Sequence, residues 1–310
     1  MNALTSTPGP AAPRRVLLLL AFAAVYLIWG STYLAVKYAI ATLPPLLMAG
    51  ARFLLAGLVM SAVGRASADY EPPTAAQWRT SVVVGALLLM GGNGGVVLAE
   101  RYIPSSLAAL LVAVEPFWIV LLSWLWLRQP RPSGKVLLGL LLGFGGVYLL
   151  VGEQLGIGSG SRQLLSAGAV IGAAFCWAAG SLYGLRAPSP RSAVQGAGMQ
   201  MLAGGVLLLV LGLLVGEGRE LHLGQVSRAS WLGFGYLVVF GSLVAFTAYS
   251  WLMKNAPAAR VATYAYVNPV VAVLLGWVML GEALTGQMLL GAIVIVGSVV
   301  LITAPSEKAG

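Results

Sequence analysis

Two ionisable residues sit where hydrocarbon would surround them. Glu115 lies in the apolar run 104–127 and Arg52 in the apolar run 44–64. At 1.5 Å of rise per residue, Glu115 is about 16 Å deep and Arg52 about 10–12 Å deep. A charge at the bilayer centre costs on the order of 3 kcal/mol on insertion scales. Each residue therefore needs a partner or a polar cavity. Their depths differ by only a few ångströms, which a long arginine side chain spans, so the spacing predicts an intramembrane pair between Arg52 and Glu115, direct or through water. Two roles fit it: a structural lock between helices, or a site where Glu115 meets a substrate amine or a proton.

Polar and aromatic residues at helical spacing suggest a cavity around that pair. Tyr26, Trp29, Tyr33 and Lys37 follow intervals of 3, 4 and 4 and share one helix face. Trp177, Ser181 and Tyr183 do the same work on a later run, Tyr264 and Asn268 are four apart, and Trp118 and Gln200 complete the candidates. Aromatic walls with a few placed polar groups suit a small-molecule site. Near the water boundary the same residues would form an interfacial belt, a reading that weighs more on Tyr33 and Lys37 than on the deeper Trp29. Asn93 stands inside Gly91-Gly92-Asn93-Gly94-Gly95 and would bond either substrate or a neighbouring carbonyl. Pro116 and Pro269 each remove a backbone donor in mid-run, which marks them as hinges beside the path or as static kinks.

The elements that position these residues follow from composition. Of 310 residues, 59% are hydrophobic and 9% charged, against about 25% charged in soluble domains. A soluble enzyme, a disulfide scaffold and a nucleic-acid-binding domain are excluded. One cysteine, Cys176, and one histidine, His222, leave no disulfide pair and no His-rich metal site. No phosphate-binding Gly-Lys-Ser/Thr loop, His-Glu-x-x-His or Gly-x-Ser-x-Gly motif occurs. No catalytic residue, cofactor, metal or nucleic-acid partner is expected.

Ten apolar runs are long enough to be spans, at roughly 16–36, 44–64, 80–100, 104–127, 134–152, 164–185, 193–215, 230–253, 257–280 and 286–304. With both termini on one side, that side holds 12 Lys and Arg residues and the other 5, which predicts cytoplasmic termini and accounts for most of the net charge of +9. Glu100 and Arg101 end the third run at the outer face and are expected to be solvated.

The chain also repeats itself. Pro104–Leu127 laid over Pro257–Leu280 gives 9 identities in 24 ungapped positions, including Pro116/Pro269 and Trp124/Trp277. Gly30-Ser31-Thr32-Tyr33 falls on Gly180-Ser181-Leu182-Tyr183, Arg52 on Gln200 and Glu115 on Asn268. Five spans per copy is odd, so the second copy enters the membrane inverted. The expected fold is an all-α integral membrane protein of ten transmembrane helices in two inverted five-helix repeats, 16–152 and 164–304. A tail at 1–15, an outer linker at 153–163 and a tail at 305–310 complete it. Inverted repeats are the mark of secondary transporters that alternate access to a midplane site; duplicated membrane proteins also include channels and scaffolds.

Trp29-Gly30-Ser31-Thr32-Tyr33, Met48 to Phe53 (MAGARF), Gly92-Asn93-Gly94, Glu115-Pro116, Gly180-Ser181-Leu182-Tyr183, Tyr264 to Val273 and Gly281-Glu282 occur in an order and spacing that resembles the drug/metabolite transporter superfamily, in its EamA-type ten-helix branch. The resemblance covers essentially the whole chain. It implies a bacterial inner-membrane permease that exports amino acids or other small metabolites or toxic compounds, with spans 1–4 and 6–9 around a cavity and spans 5 and 10 as buttresses. The partners expected are a small-molecule substrate, lipid and, as coupling ion, protons carried by Glu115. An uncoupled facilitator or channel is the alternative.

Overall fold

A computed structural model of the chain describes residues 12–67, 70–103, 105–151, 161–280 and 285–303. Most of the expected tails and linker, and the Gly281-Glu282 pair, lie outside these residues. Apolar segments become helices because hydrocarbon offers no partner to a backbone N–H or C=O, so each must be bonded within its own segment. Twelve helices make ten passages. In the first copy α1 is Ala12–Ala39, α2 Pro45–Arg65 and α3 Ala75–Ala99. The broken pair α4 (Ser105–Val112) and α5 (Glu115–Leu125) forms one passage, and α6 (Gly134–Val151) ends the copy. In the second copy α7 is Ser161–Arg186, α8 Ala193–Leu214 and α9 Arg228–Asn255. The broken pair α10 (Ala258–Val261) and α11 (Tyr264–Leu280) forms one passage, and α12 is Gly286–Thr303. Among the described residues there is no strand. Eight passages are long and apolar enough to cross a membrane, and α6 and α12 are shorter apolar helices. The ten-helix, all-α reading of the sequence holds.

The duplication extends to local distortions. Wide π-helical turns occupy Gly85–Gly94 in α3 and Leu237–Phe246 in α9. The repeat offset of 153 residues carries the first stretch to 238–247, one residue from the second. Such turns are rare and shift the face a helix presents. The first broken passage interrupts less than one turn before its proline and the second nearly two turns before. In the first, the break falls at Ala113-Val114, so Pro116 sits in the opening turn of α5, where its missing N–H costs no bond. In the second, the break falls at Ala262-Thr263 and Pro269 lies inside a continuous helix. The two prolines are therefore not a matched pair of kinks.

The copies interlock along α2 and α8, which run antiparallel. Gly50, Gly57 and Gly64 on one helix and Gly198, Gly205 and Gly212 on the other recur every seven residues and meet face to face. A Cβ on Gly205 would lie 2.6 Å from the Leu54 amide nitrogen, and one on Gly57 2.7 Å from that of Leu202. This is small-residue packing that lets backbones touch where lipid supplies no hydrophobic drive. The N-terminus of α2 is closed from across the molecule. Its amides at Leu46 and Leu47 donate to the two oxygens of Glu217, at 3.2 and 2.9 Å, and Glu217 is 2% exposed. That carboxylate answers the orphan amides and the positive end of the helix dipole together.

Helices α6 and α12 pack on each other at the side, through Gly139 against Ile302 and Gly146 against Ile295, with Gly143 under the Tyr266 ring. Gly168 and Gly172 have nothing within 4 Å of a Cβ position and lie on an exposed face, so they are not packing glycines. Apolar side chains such as Leu141, Leu164 and Ile293 cover the outside of the bundle, as a lipid-facing surface requires. Gly205→Ala is expected to destabilise the fold by about 1–3 kcal/mol, the range for overpacked sites, while Gly172→Ala leaves it unchanged. Thermal unfolding in detergent separates the two, and equal melting temperatures would contradict the interlock.

Candidate functional site

A cavity of about 100 Å³ lies between the two copies. Along α1 its wall runs from Trp29 through Tyr33 to Val36, two helical turns or about 10 Å. From Gly92 and Asn93 on α3 it runs to Glu100, which caps the C-terminus of that helix, also two turns. The wide turns of α3 and α9 bring Asn93 and Phe246 to it, residues that the offset of 153 superposes. Of the residues singled out from sequence, Trp29, Tyr33, Arg52, Asn93, Glu115, Trp177, Tyr264 and Asn268 line this one space.

Six predicted residues are elsewhere: Tyr26, whose hydroxyl bonds that of Thr263 at 2.6 Å, Lys37, Ser181, Trp118, Tyr183 and Gln200. Trp118 packs edge-on between Phe117 and Phe175 and does not line the cavity. Tyr183 is half-buried against the main core. Gln200 lines a second, smaller cavity with Ser181, Tyr249 and Lys254. Helical rotation explains these departures: Trp118 is three residues beyond Glu115, about 60° away at 100° per residue, and the bundle divides the two directions. Pro116 and Pro269 adjoin cavity residues and do not line the cavity themselves.

Arg52 and Glu115 do not form the direct pair that their depths predict. Each takes a neutral partner from the other copy. Arg52 donates from Nε to the Ser242 hydroxyl at 2.8 Å and lays its guanidinium over the Phe53 ring, 4.4 Å from the centroid. Glu115 accepts at Oε2 from the Tyr264 hydroxyl, and its Oε1 has no partner. Arg52 is 4% exposed and Glu115 1%. Glu115 and Tyr264 each open a half-helix, α5 and α11, so the carboxylate sits at a positive dipole end. Broken helices whose N-termini meet at mid-depth are the usual way a transporter builds a site. Asn268, with its amide turned so that nitrogen donates, reaches the carbonyls of Tyr26 and Tyr264 at 3.2 and 3.0 Å.

An aromatic layer floors the cavity. Trp29 meets Tyr264, Tyr249 and Trp177 at centroid distances of 4.9, 5.1 and 5.5 Å. Tyr249 ties the layer to α7, since its hydroxyl accepts from Trp177 Nε1 at 3.0 Å and bonds the Ser181 hydroxyl at 2.6 Å. Trp29 Nε1 donates to the Gly241 carbonyl at 3.2 Å. Below the layer, the second cavity (about 40 Å³) runs toward Lys254 at the opposite end of the bundle. The aromatic layer touches both spaces, since Trp29, Trp177 and Tyr264 line the first and Tyr249 the second.

Sequence reasoning missed Glu100, Tyr249 and Ser242. Glu100, expected in solvent, lines the cavity with its Oε2 buried and unpartnered. Its interval of seven from Asn93 puts it on the same helix face and was the available signal. Tyr249 and Ser242 lie in a stretch whose repeat partners, Val96 and Leu89, are apolar, so the duplication pointed away from them.

A duplicated bundle of apolar helices, with broken helices meeting at a buried polar cavity between the copies, defines a polytopic membrane transporter and not an enzyme. The model of the EamA-like transporter family matches residues 16–152 and again 164–304. The chain is 38% identical over 282 residues to the uncharacterized inner membrane transporter YedA of Escherichia coli K12, covering 90% of this chain and 88% of that one. It is 27% identical over 279 residues to a probable amino-acid metabolite efflux pump of Salmonella typhimurium, covering 87% and 89%. One solved crystal structure superposes with a TM-score of 0.75 at 24% identity, covering 93% of this chain and 96% of that chain, and shares the fold. The chain belongs to the EamA-like transporter family, within the drug/metabolite transporter superfamily.

Tyr264→Phe removes the one donor to Glu115. It is expected to cost about 1–3 kcal/mol, as for a buried acceptor left bare, and less in a Glu115→Gln background. A double-mutant cycle on thermal stability reads the difference, and equal costs in the two backgrounds would contradict the cross-repeat bond.

Proposed function

We propose that this protein is a bacterial inner-membrane exporter that moves amino acids or similar small metabolites by alternating access, with both termini in the cytoplasm. The observation that carries this reading is the pair of cavities touched by one aromatic layer, Trp29, Trp177 and Tyr264 on one side and Tyr249 on the other. In the proposed orientation the cavity with Glu115, Arg52 and Asn93 opens to the outside and the one with Gln200 and Lys254 to the cytoplasm. Rocking of one copy against the other would close the first and open the second. The cross-repeat contacts, Glu115 to Tyr264 and Arg52 to Ser242, are the ones such a motion changes.

The exporter direction rests on the relatives: one is an inner membrane transporter by name and another a probable efflux pump for amino-acid metabolites. Proton coupling would run through Glu115, the carboxylate at mid-depth, which substrate and proton would occupy in turn. A closed aromatic floor argues for this reading over an open channel.

An overexpressing strain is expected to tolerate toxic amino acids or their analogues from one chemical class at several-fold higher dose than a control strain, and Glu115→Gln is expected to abolish that tolerance. Efflux from proteoliposomes is expected to rise with an imposed pH gradient. Tolerance that survives Glu115→Gln would contradict the role of the carboxylate, and efflux indifferent to the gradient would leave an uncoupled facilitator.

A further inference from the structure

The buried polar atoms that the outer cavity leaves without a partner are all acceptors, while several of its donors are already bonded. Trp29 Nε1 is bonded to Gly241, Trp177 Nε1 to Tyr249, the Thr32 hydroxyl to the Trp29 carbonyl, and the Tyr264 hydroxyl to Glu115. The buried polar side-chain atoms on its wall that lack a partner are Glu115 Oε1, Glu100 Oε2 and Asn93 Oδ1, each an acceptor. Glu115 is 1% exposed, so no bulk water answers its bare oxygen. The charged residues of the wall are Arg52, Glu100 and Glu115, which sum to −1 when all are ionised. Arg52 already holds Ser242 and Phe53 and makes no ion pair with either carboxylate.

A ligand that completes this wall brings N–H donors and positive charge. An ammonium has three donors and no acceptor, and charge-assisted bonds to carboxylates are the strong ones. Trp29 and Trp177 also border the space, and an indole is the ring a cation prefers.

We infer that the cavity recognises its substrate by a protonated amine, received by Glu115, Asn93 and Glu100, so that a carboxylate on the substrate is dispensable and the amine is not. This rests on the exporter reading above and narrows it to amine-bearing compounds. Asn93 on α3 and Glu100 at the C-terminal cap of that helix, two turns apart, form an acceptor track from the mouth to mid-depth. Glu100 is the outer station and Glu115 the inner one.

Three probes of matched chain separate the groups: norvaline, butylamine, which lacks its carboxylate, and pentanoate, which lacks its amine. Calorimetric titration of the purified full chain in lipid nanodiscs at neutral pH is expected to show norvaline and butylamine binding, with pentanoate at least about tenfold weaker. Glu100→Gln and Glu115→Gln are each expected to weaken butylamine about tenfold, the effect of one lost charge-assisted bond, and Glu100→Gln leaves pentanoate unchanged or tighter. Should Glu115→Gln fail to elute as a folded protein, Glu100→Gln, nearer the mouth, decides alone.

Pentanoate binding as tightly as butylamine, butylamine indifferent to the carboxamide variants, or no heat from any probe would each overturn the inference. The exporter reading fails separately: tolerance to anionic compounds in the growth assay, lost on Glu115→Gln, would keep the exporter and discard the amine.

Discussion

An ionisable group buried among apolar helices has to be answered by another polar group, and in this protein the answer comes from the opposite repeat. Arg52 is held by Ser242 and Glu115 by Tyr264. Both charged members lie in the first copy and both neutral partners in the second. Each contact therefore spans the boundary between the copies, and the first copy takes the partners of its buried charges from the second. A direct Arg52–Glu115 bond would have lain within one copy and been carried along unchanged by any rocking motion. Leaving the two apart makes the polar contacts sensitive to the relation between the halves, at the cost of an unpartnered oxygen on Glu115.

Close packing and irregular backbone lie in different parts of the bundle. The glycine seam of α2 and α8 brings backbones into contact at seven-residue intervals, and such close packing resists sliding. Glu217 pins one end of α2 to the loop after α8. The broken passages and the wide turns of α3 and α9 surround the cavity instead, where backbone irregularity is tolerated because it is buried in protein or lines a polar space. The side helices α6 and α12 contribute no residue to the cavity wall and fill the flank.

The ten-helix duplicated fold was legible because membrane insertion forces long apolar runs and the inversion follows from an odd number of them. The proline and tryptophan matches at an offset of 153 were enough to see the repeat. The cavity was legible where one helix carried several polar or aromatic residues at intervals of three and four, as with Trp29 and Tyr33 or Tyr264 and Asn268. Depth alone misjudged the charge pair, since it fixes height in the bilayer and leaves rotation about each helix axis open. Rotation is set by tertiary packing, which also turned Trp118 and Tyr183 away from the cavity. Glu100 was misread because a carboxylate at a helix end is solvated by default, and only the neighbouring helices bury it. Ser242 is a small hydroxyl in an apolar run, with no spacing to distinguish it from a packing residue until Arg52 is seen to reach it.

Alternating access requires that the two cavities are never open together. In a Cys176→Ala background, a cysteine at Tyr33 reports the cavity with Glu115 and one at Ser250 the cavity with Gln200. Labelling with a membrane-impermeant maleimide from each side of oriented vesicles is predicted to reach Tyr33→Cys from the outside alone and Ser250→Cys from the inside alone. An imposed pH gradient is predicted to change the two rates in opposite directions. Both positions reacting from the same side, or both rates rising together, would describe a continuous pore and contradict it.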